Sequence, residues 1–175
     1  MSFTAPPYRI VPLPRKQNRT GFVCGKEKLD AYFQRQVGQD VDKGFATCFV
    51  ALDATDEIAG FYTLASYSIS IELLPLDIRR KLPRYDSIPC TLMGRLAVSE
   101  KLAKRGLGSA MLLHALQKSL TSEIGSYAMV VDAKDDEALA FYLKHGFVAW
   151  HAETPLRCFL PLRGGAVPKV PSIGR

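Results

Sequence analysis

Between residues 26 and 162 the apolar positions change period several times, and each change marks an element. Leu29, Phe33 and Val37 recur every four residues with Tyr32 beside them, while Gln34, Arg35 and Gln39 fall on the other side. That spacing is one face of an amphipathic helix, predicted from Lys26 to Val41. Thr47–Leu52 and Ile58–Ile71 read as strands; in the second, Ser66, Ser68 and Ser70 alternate with Tyr67, Ile69 and Ile71, a period of two. The DATDE between them predicts a hairpin turn. From Pro75 to Pro89 the chain is polar and interrupted by Pro83, so a short helix or loop is expected.

Thr91–Val98 reads as a strand, and a helix follows from about Gly106 to Leu120, with Leu112, Leu116 and Leu120 four apart. Ala128–Asp132 is a buried-type strand, and Asp135–Lys144 a short helix stopped by Gly146. Phe147–His151 and Arg157–Leu162 complete the strands, while the Pro-rich ends, residues 1–15 and 164–175, read as loops. This order predicts one domain over residues 1–175, α/β (α+β) in class, with a mixed central sheet flanked by helices.

Composition adds bounds. With 175 residues, 47% hydrophobic and 23% charged, the chain has the material for a globular core. It lacks an apolar run of about 18 residues, so no membrane span is expected. MSFTAPPYRIVPLPRKQ lacks the basic start and apolar run of a signal peptide, which predicts a cytoplasmic protein. Cys24, Cys48, Cys90 and Cys158 are scattered, without a C-x-x-C pair or a histidine at ligand spacing, and read as reduced thiols rather than metal ligands. The net charge of +6 suits an anionic partner.

The charge acquires a place at the strand-to-helix turn Ala103-Lys104-Arg105-Gly106-Leu107-Gly108-Ser109-Ala110. Two glycines let the backbone approach a ligand closely, and the amides at a helix start form an anion site. Lys104 and Arg105 add positive charge, so the arrangement favours a diphosphate; a tight turn without a ligand is the alternative. It is neither a Walker A loop nor a Rossmann fingerprint, since Met111 stands where the third glycine would be.

A second motif, Ala138-Leu139-Ala140-Phe141-Tyr142-Leu143-Lys144-His145-Gly146-Phe147, follows the next strand. At this separation the two motifs resemble the GNAT superfamily of acetyl-CoA-dependent N-acetyltransferases, over roughly Phe45 to Leu162. FVCGKEKLDAYF, FVALD, GFYTLASYSI, LPRY, GRLAV and the closing FLPL, in this order, are similar to the TacT-like GNAT toxins of toxin–antitoxin pairs. The resemblance implies that acetyl-CoA is held by Lys104, Arg105, Gly106, Leu107, Gly108, Ser109 and Ala110, by the strand backbone at Leu96, Ala97 and Val98, and by Asp135 and Ala138. It implies that Tyr142 protonates the departing thiolate, and that no metal takes part. It further implies acetylation of the α-amino group of aminoacyl-tRNA, a ribbon-helix-helix antitoxin and a homodimer. Ala103 stands where the family usually has Gln or Arg.

The chemistry of the reaction is consistent with that substrate. An α-amine has a pKa near ~8, against ~10.4 for a lysine side chain, and needs little help from a base. Neither Thr91–Val98 nor Phe61–Ile71 contains Asp or Glu to act as one. Arg79, Arg80, Lys81 and Arg84, together with Arg95, are candidates for RNA phosphate contact, and Tyr85 for stacking on a base; a solvated charged face is the alternative. His114, His145 and His151 read as packed or peripheral. Two other functions remain open at this point: a GNAT enzyme acting on a small-molecule or protein amine, and a GNAT fold that binds without catalysis.

Overall fold

The computed structural model describes residues 7–149 and 156–163. Seven strands, β1 (Arg9–Pro12), β2 (Thr47–Leu52), β3 (Ile58–Ser70), β4 (Ser87–Val98), β5 (Ala128–Asp132), β6 (Val148–Ala149) and β7 (Arg157–Pro161), form one sheet in the order β1-β2-β3-β4-β5-β7-β6. The helices are α1 (Glu27–Arg35), α2 (Val37–Asp42), α3 (Leu76–Arg79), α4 (Leu107–Leu120) and α5 (Asp136–Lys144). The sheet is mixed. β4 and β5 are parallel, joined through α4 as a parallel crossover requires, whereas β2 pairs antiparallel with β1 and β3, and β7 with β5 and β6.

Contacts gather in two compact units. The first comprises the chain up to Ala65 together with Gly94–Ala115. Its core is aromatic: Phe61 of β3 stacks on Phe33 of α1 at 4.2 Å between ring centroids, and Phe22 meets both rings edge-on. The second comprises Ser66–Met93 and the chain from Leu116 onward. There Ile69, Ile88, Cys90, Ala128, Val130 and Phe159 are buried together.

Three elements differ from the sequence expectation, each for a local reason. The helix predicted over Lys26–Val41 is two helices. Arg19 Nε donates to the carbonyl of Phe33 at 3.0 Å, and that carbonyl is the acceptor the Val37 amide would need to continue α1. The N-terminal loop contains β1, because Arg9–Pro12 add to the edge of β2 in register with Leu52–Phe49. β4 starts at Ser87 and runs through Pro89, whose carbonyl accepts from the Tyr127 amide at 2.8 Å. Proline forfeits one donor there while its φ suits an extended chain. The hairpin turn is as predicted: Asp53 Oδ1 accepts from the amides of Thr55 and Glu57. The expected C-terminal loop and His151 lie outside the described residues.

Candidate active site

The strand-to-helix turn is built by left-handed backbone. Lys104 has φ +61° and Gly106 φ +86°. For a residue with a Cβ this region costs roughly 1–2 kcal/mol, so Lys104 is held there by the loop rather than by preference. Left-handed residues interleaved with others turn successive amides to one side, which forms an anion-binding concavity. Ala103, Lys104, Arg105 and Gly106 are exposed, and a Cβ built on Gly106 meets nothing within 4 Å, so side chains do not seal the turn. Leu107 is buried and anchors the start of α4, where Ala110 N bonds to Gly106 O at 3.1 Å; Gly108 and Ser109 are half-buried in this first turn.

The turn is aimed by the end of β4, where Leu96 and Val98 are half-buried and Ala97 is buried. Pairing of β4 with β5 runs from Cys90 to Met93, and β4 itself continues to Val98. Ser99 N then bonds to Ala59 O at 2.8 Å, and Glu100 N to Val23 O at 3.0 Å, which fixes the chain leaving the strand. Gly60, on the neighbouring strand β3, lets this end of β4 approach closely. A Cβ there would lie 2.8 Å from Ala97 O and 2.7 Å from Met111 Cε of α4. Gly60 opens the GFYTLASYSI segment, and a lone glycine inside a strand pattern signals close backbone approach.

Tyr142 belongs to α5. Asp135, in extended conformation, caps this helix by accepting from Ala138 N at 2.8 Å, so the two predicted cofactor residues are bonded to each other at its start. Gly146, at φ +89°, ends the helix as predicted, and His145 Nδ1 lies 2.7 Å from Phe141 O. The Tyr142 ring is buried beside Phe141 and Phe147, with centroids at 5.3 and 5.5 Å. Its hydroxyl faces Met93 Sδ at 4.0 Å. Burial, and after it the neighbouring Cys158, pushes this phenol above the ordinary tyrosine range. Burial likewise pushes the Cys48 and Cys158 thiols up to about 12 and Cys90 to about 11, so all three stay protonated and unreactive.

The basic segment is divided. Arg79, Arg80 and Arg84 line a cavity of about 490 Å³ together with Tyr85, whereas Lys81 does not. Arg95 is placed differently: its guanidinium lies 3.4 Å from the centroid of the Tyr32 ring. Tyr32 in turn donates to Asp40 Oδ2 at 2.8 Å, and Gln36 Nε2 donates to Asp40 Oδ1 at 3.2 Å. His114 Nδ1 lies 2.7 Å from the Tyr62 hydroxyl, a packed position as expected.

Residues 44–149, more than half of the chain, match the model of the acetyltransferase (GNAT) domain. The chain belongs to the GNAT acetyltransferase family. Among GNAT relatives, it is 37% identical over 130 residues to the tRNA-acetylating toxin of Mycobacterium tuberculosis, covering 73% of this chain and 76% of that protein. It is 28% identical over 174 residues to the probable toxin TacT of Sinorhizobium fredii, covering 93% and 96%. The fold is that of AtaT complexed with acetyl-methionyl-tRNAfMet, with a TM-score of 0.82, 24% identity and coverage of 88% of this chain and 94% of that one. A mutant of KacT matches equally, with a TM-score of 0.83, 24% identity and coverage of 90% and 96%.

GNAT acetyltransferases draw their acetyl group from acetyl-CoA, and the turn fits its diphosphate. It is open, glycine-permitted at residue 106, flanked by Lys104 and Arg105, and followed by a helix start. Among the described residues no helix is long and apolar enough to cross a membrane.

Proposed function

We propose that the protein transfers an acetyl group from acetyl-CoA to the α-amino group of aminoacyl-tRNA and thereby blocks translation. The observation that carries the chemistry is Tyr142. Its hydroxyl is buried, fully protonated at neutral pH, and faces a thioether, which is a weak acceptor. A buried phenol normally finds a stronger partner; this one keeps its proton for a group that arrives with the substrate.

In this reading the amides of residues 104–109, ahead of the intrahelical bond at Ala110, grip the diphosphate, and the charges of Lys104 and Arg105 strengthen the hold. The last residues of β4, Leu96, Ala97 and Val98, extend beyond the pairing with β5, and their main chain offers an edge to an extended arm. Asp135 fixes the start of the helix that carries Tyr142, and Ala138 closes that cap. Bound acetyl-CoA supplies a thioester carbonyl open to attack and a thiolate as leaving group. Tyr142 holds the proton destined for that sulfur, a general-acid contribution of roughly 10²–10⁴-fold. The amine arrives neutral in useful amount because its pKa is near ~8, so the lack of a carboxylate along Thr91–Val98 is no obstacle. Arg79, Arg80, Lys81 and Arg84, with Arg95, contact RNA phosphates.

The name of the tRNA-acetylating toxin supports the tRNA substrate, and we assign the protein a cytoplasmic site of action. AtaT bound to its antitoxin AtaR and the KacTA–DNA complex, which share the fold, support an antitoxin partner; we assign it the ribbon-helix-helix type and assign the enzyme a homodimeric state. Purified protein, charged tRNA and acetyl-labelled acetyl-CoA test the reaction. Label on the aminoacyl moiety is expected, and its absence from every charged tRNA overturns the proposal.

A further inference from the structure

The cavity in the basic segment has more chemistry than a phosphate track needs. It is formed within residues 71–86, and its volume of about 490 Å³ lies in the range of small-ligand sites. Ile71 and Leu82 line it and pack against the buried cluster of Ile69, Ile88, Cys90 and Phe159, so its floor is anchored in the core. Ile71 N also bonds to Asp86 O at 3.0 Å, which joins the two ends of the segment. Leu74, nearly fully buried, pins the middle. The rim carries Arg79, Arg80 and Arg84, and Tyr85 stands beside them 70% exposed. A large ring left in water on a cavity also lined by three arginines is an unspent stacking surface.

We propose that this cavity seats one unpaired nucleotide of the RNA substrate, with its base on Tyr85 and its phosphates on Arg79, Arg80 and Arg84. The inference rests on the reading above that the acceptor is an RNA, and adds where a single-stranded nucleotide is gripped. Duplex RNA would need only charge, because its bases are already stacked and hidden. An unstacked base needs a π-face and an apolar floor, and both are present in a pre-formed site. Asp86, which lines the same cavity, can accept from the amino edge of a base.

The test is direct binding of two probes to the full-length protein: a short single-stranded RNA carrying 2-aminopurine, and a blunt RNA hairpin. The single strand is expected to bind more tightly and to change its fluorescence on stacking. Tyr85→Ala should weaken it roughly 5- to 150-fold while leaving the melting temperature nearly unchanged, since the side chain is largely exposed. Tyr85→Phe, which keeps the ring, should recover most of that loss. Arg84→Gln should weaken both probes alike and lower the slope of log affinity against log salt by about 0.7–0.9. Equal binding of hairpin and single strand, with Tyr85→Ala silent, overturns the proposal in favour of simple phosphate contact. Binding of neither probe, with tight binding of an acidic peptide instead, overturns it too. Because the titration needs no turnover, failure of the acetylation assay would sink the transferase reading without deciding this one.

Discussion

The Tyr142 hydroxyl faces the sulfur of Met93 at 4.0 Å, and that thioether is a poor acceptor for a buried phenol. In the proposed mechanism the pair separates structure from catalysis, because the ring carries the packing while the oxygen contributes little to the fold. Tyr142→Phe should therefore keep the melting temperature within a few degrees and lower kcat by at least ~10²-fold. Single-turnover transfer of labelled acetyl measures it. Turnover within a factor of three of the parent would remove Tyr142 as the acid.

The pH dependence follows from the same residue. A phenol whose pKa is raised stays protonated, and hence active as an acid, until the pH passes that raised value, which lies above the ordinary ~10 of tyrosine. The amine behaves oppositely and becomes a nucleophile only as the pH rises through ~8. The rate at low substrate should climb from pH 6 to about 8.5 and then remain level through pH 10. A descending limb with a midpoint below 9 would mean that another group, not Tyr142, gives up the proton.

What the sequence disclosed and what it concealed divide along a physical line. Local patterns survived: the bounds of β2 and β5 were readable from period and flanking turns, and the glycine at residue 106 proved to need its left-handed φ. Long-range partners were hidden. No spacing within Lys26–Val41 announces that Arg19 will take the Phe33 carbonyl and split the helix. Nor does the alternation of β4 reveal that Arg95 settles on the ring of Tyr32 rather than lining the cavity of Arg79, Arg80 and Arg84. The charges were visible as one basic group; only folding sorted them.

Gly60 is the clearest residue of that hidden kind, and it yields a stability prediction. A methyl group at this position meets Ala97 O at 2.8 Å and Met111 Cε at 2.7 Å. Met111 can swing away, but the carbonyl belongs to the backbone of β4. Gly60→Ala should cost roughly 1–3 kcal/mol in urea unfolding, as overpacking does, and weaken acetyl-CoA binding by shifting Ala97. Trimming the flexible partner in Gly60→Ala/Met111→Ala should fail to restore cofactor affinity. Full recovery in the double variant would place the obstruction at Met111 and free β4 of the role.

The phosphate turn raises a choice between backbone and side chain as the holder of the diphosphate, and two substitutions separate them. Gly106→Ala adds a methyl group into open space, so no clash arises, but φ +86° opposes any Cβ. The strain of roughly 1–2 kcal/mol is relieved by letting the amides turn away, and acetyl-CoA affinity should fall about tenfold. Lys104→Gly does the reverse: it removes a charge while relaxing a residue that already sits at φ +61°. An exposed charge near a phosphate contributes little in water, so the loss should stay below about fivefold and shrink further in high salt. Calorimetric titration with acetyl-CoA gives both numbers. If Lys104→Gly proves the more damaging at physiological salt, the diphosphate is held by side-chain charge and the amides of this turn are bystanders.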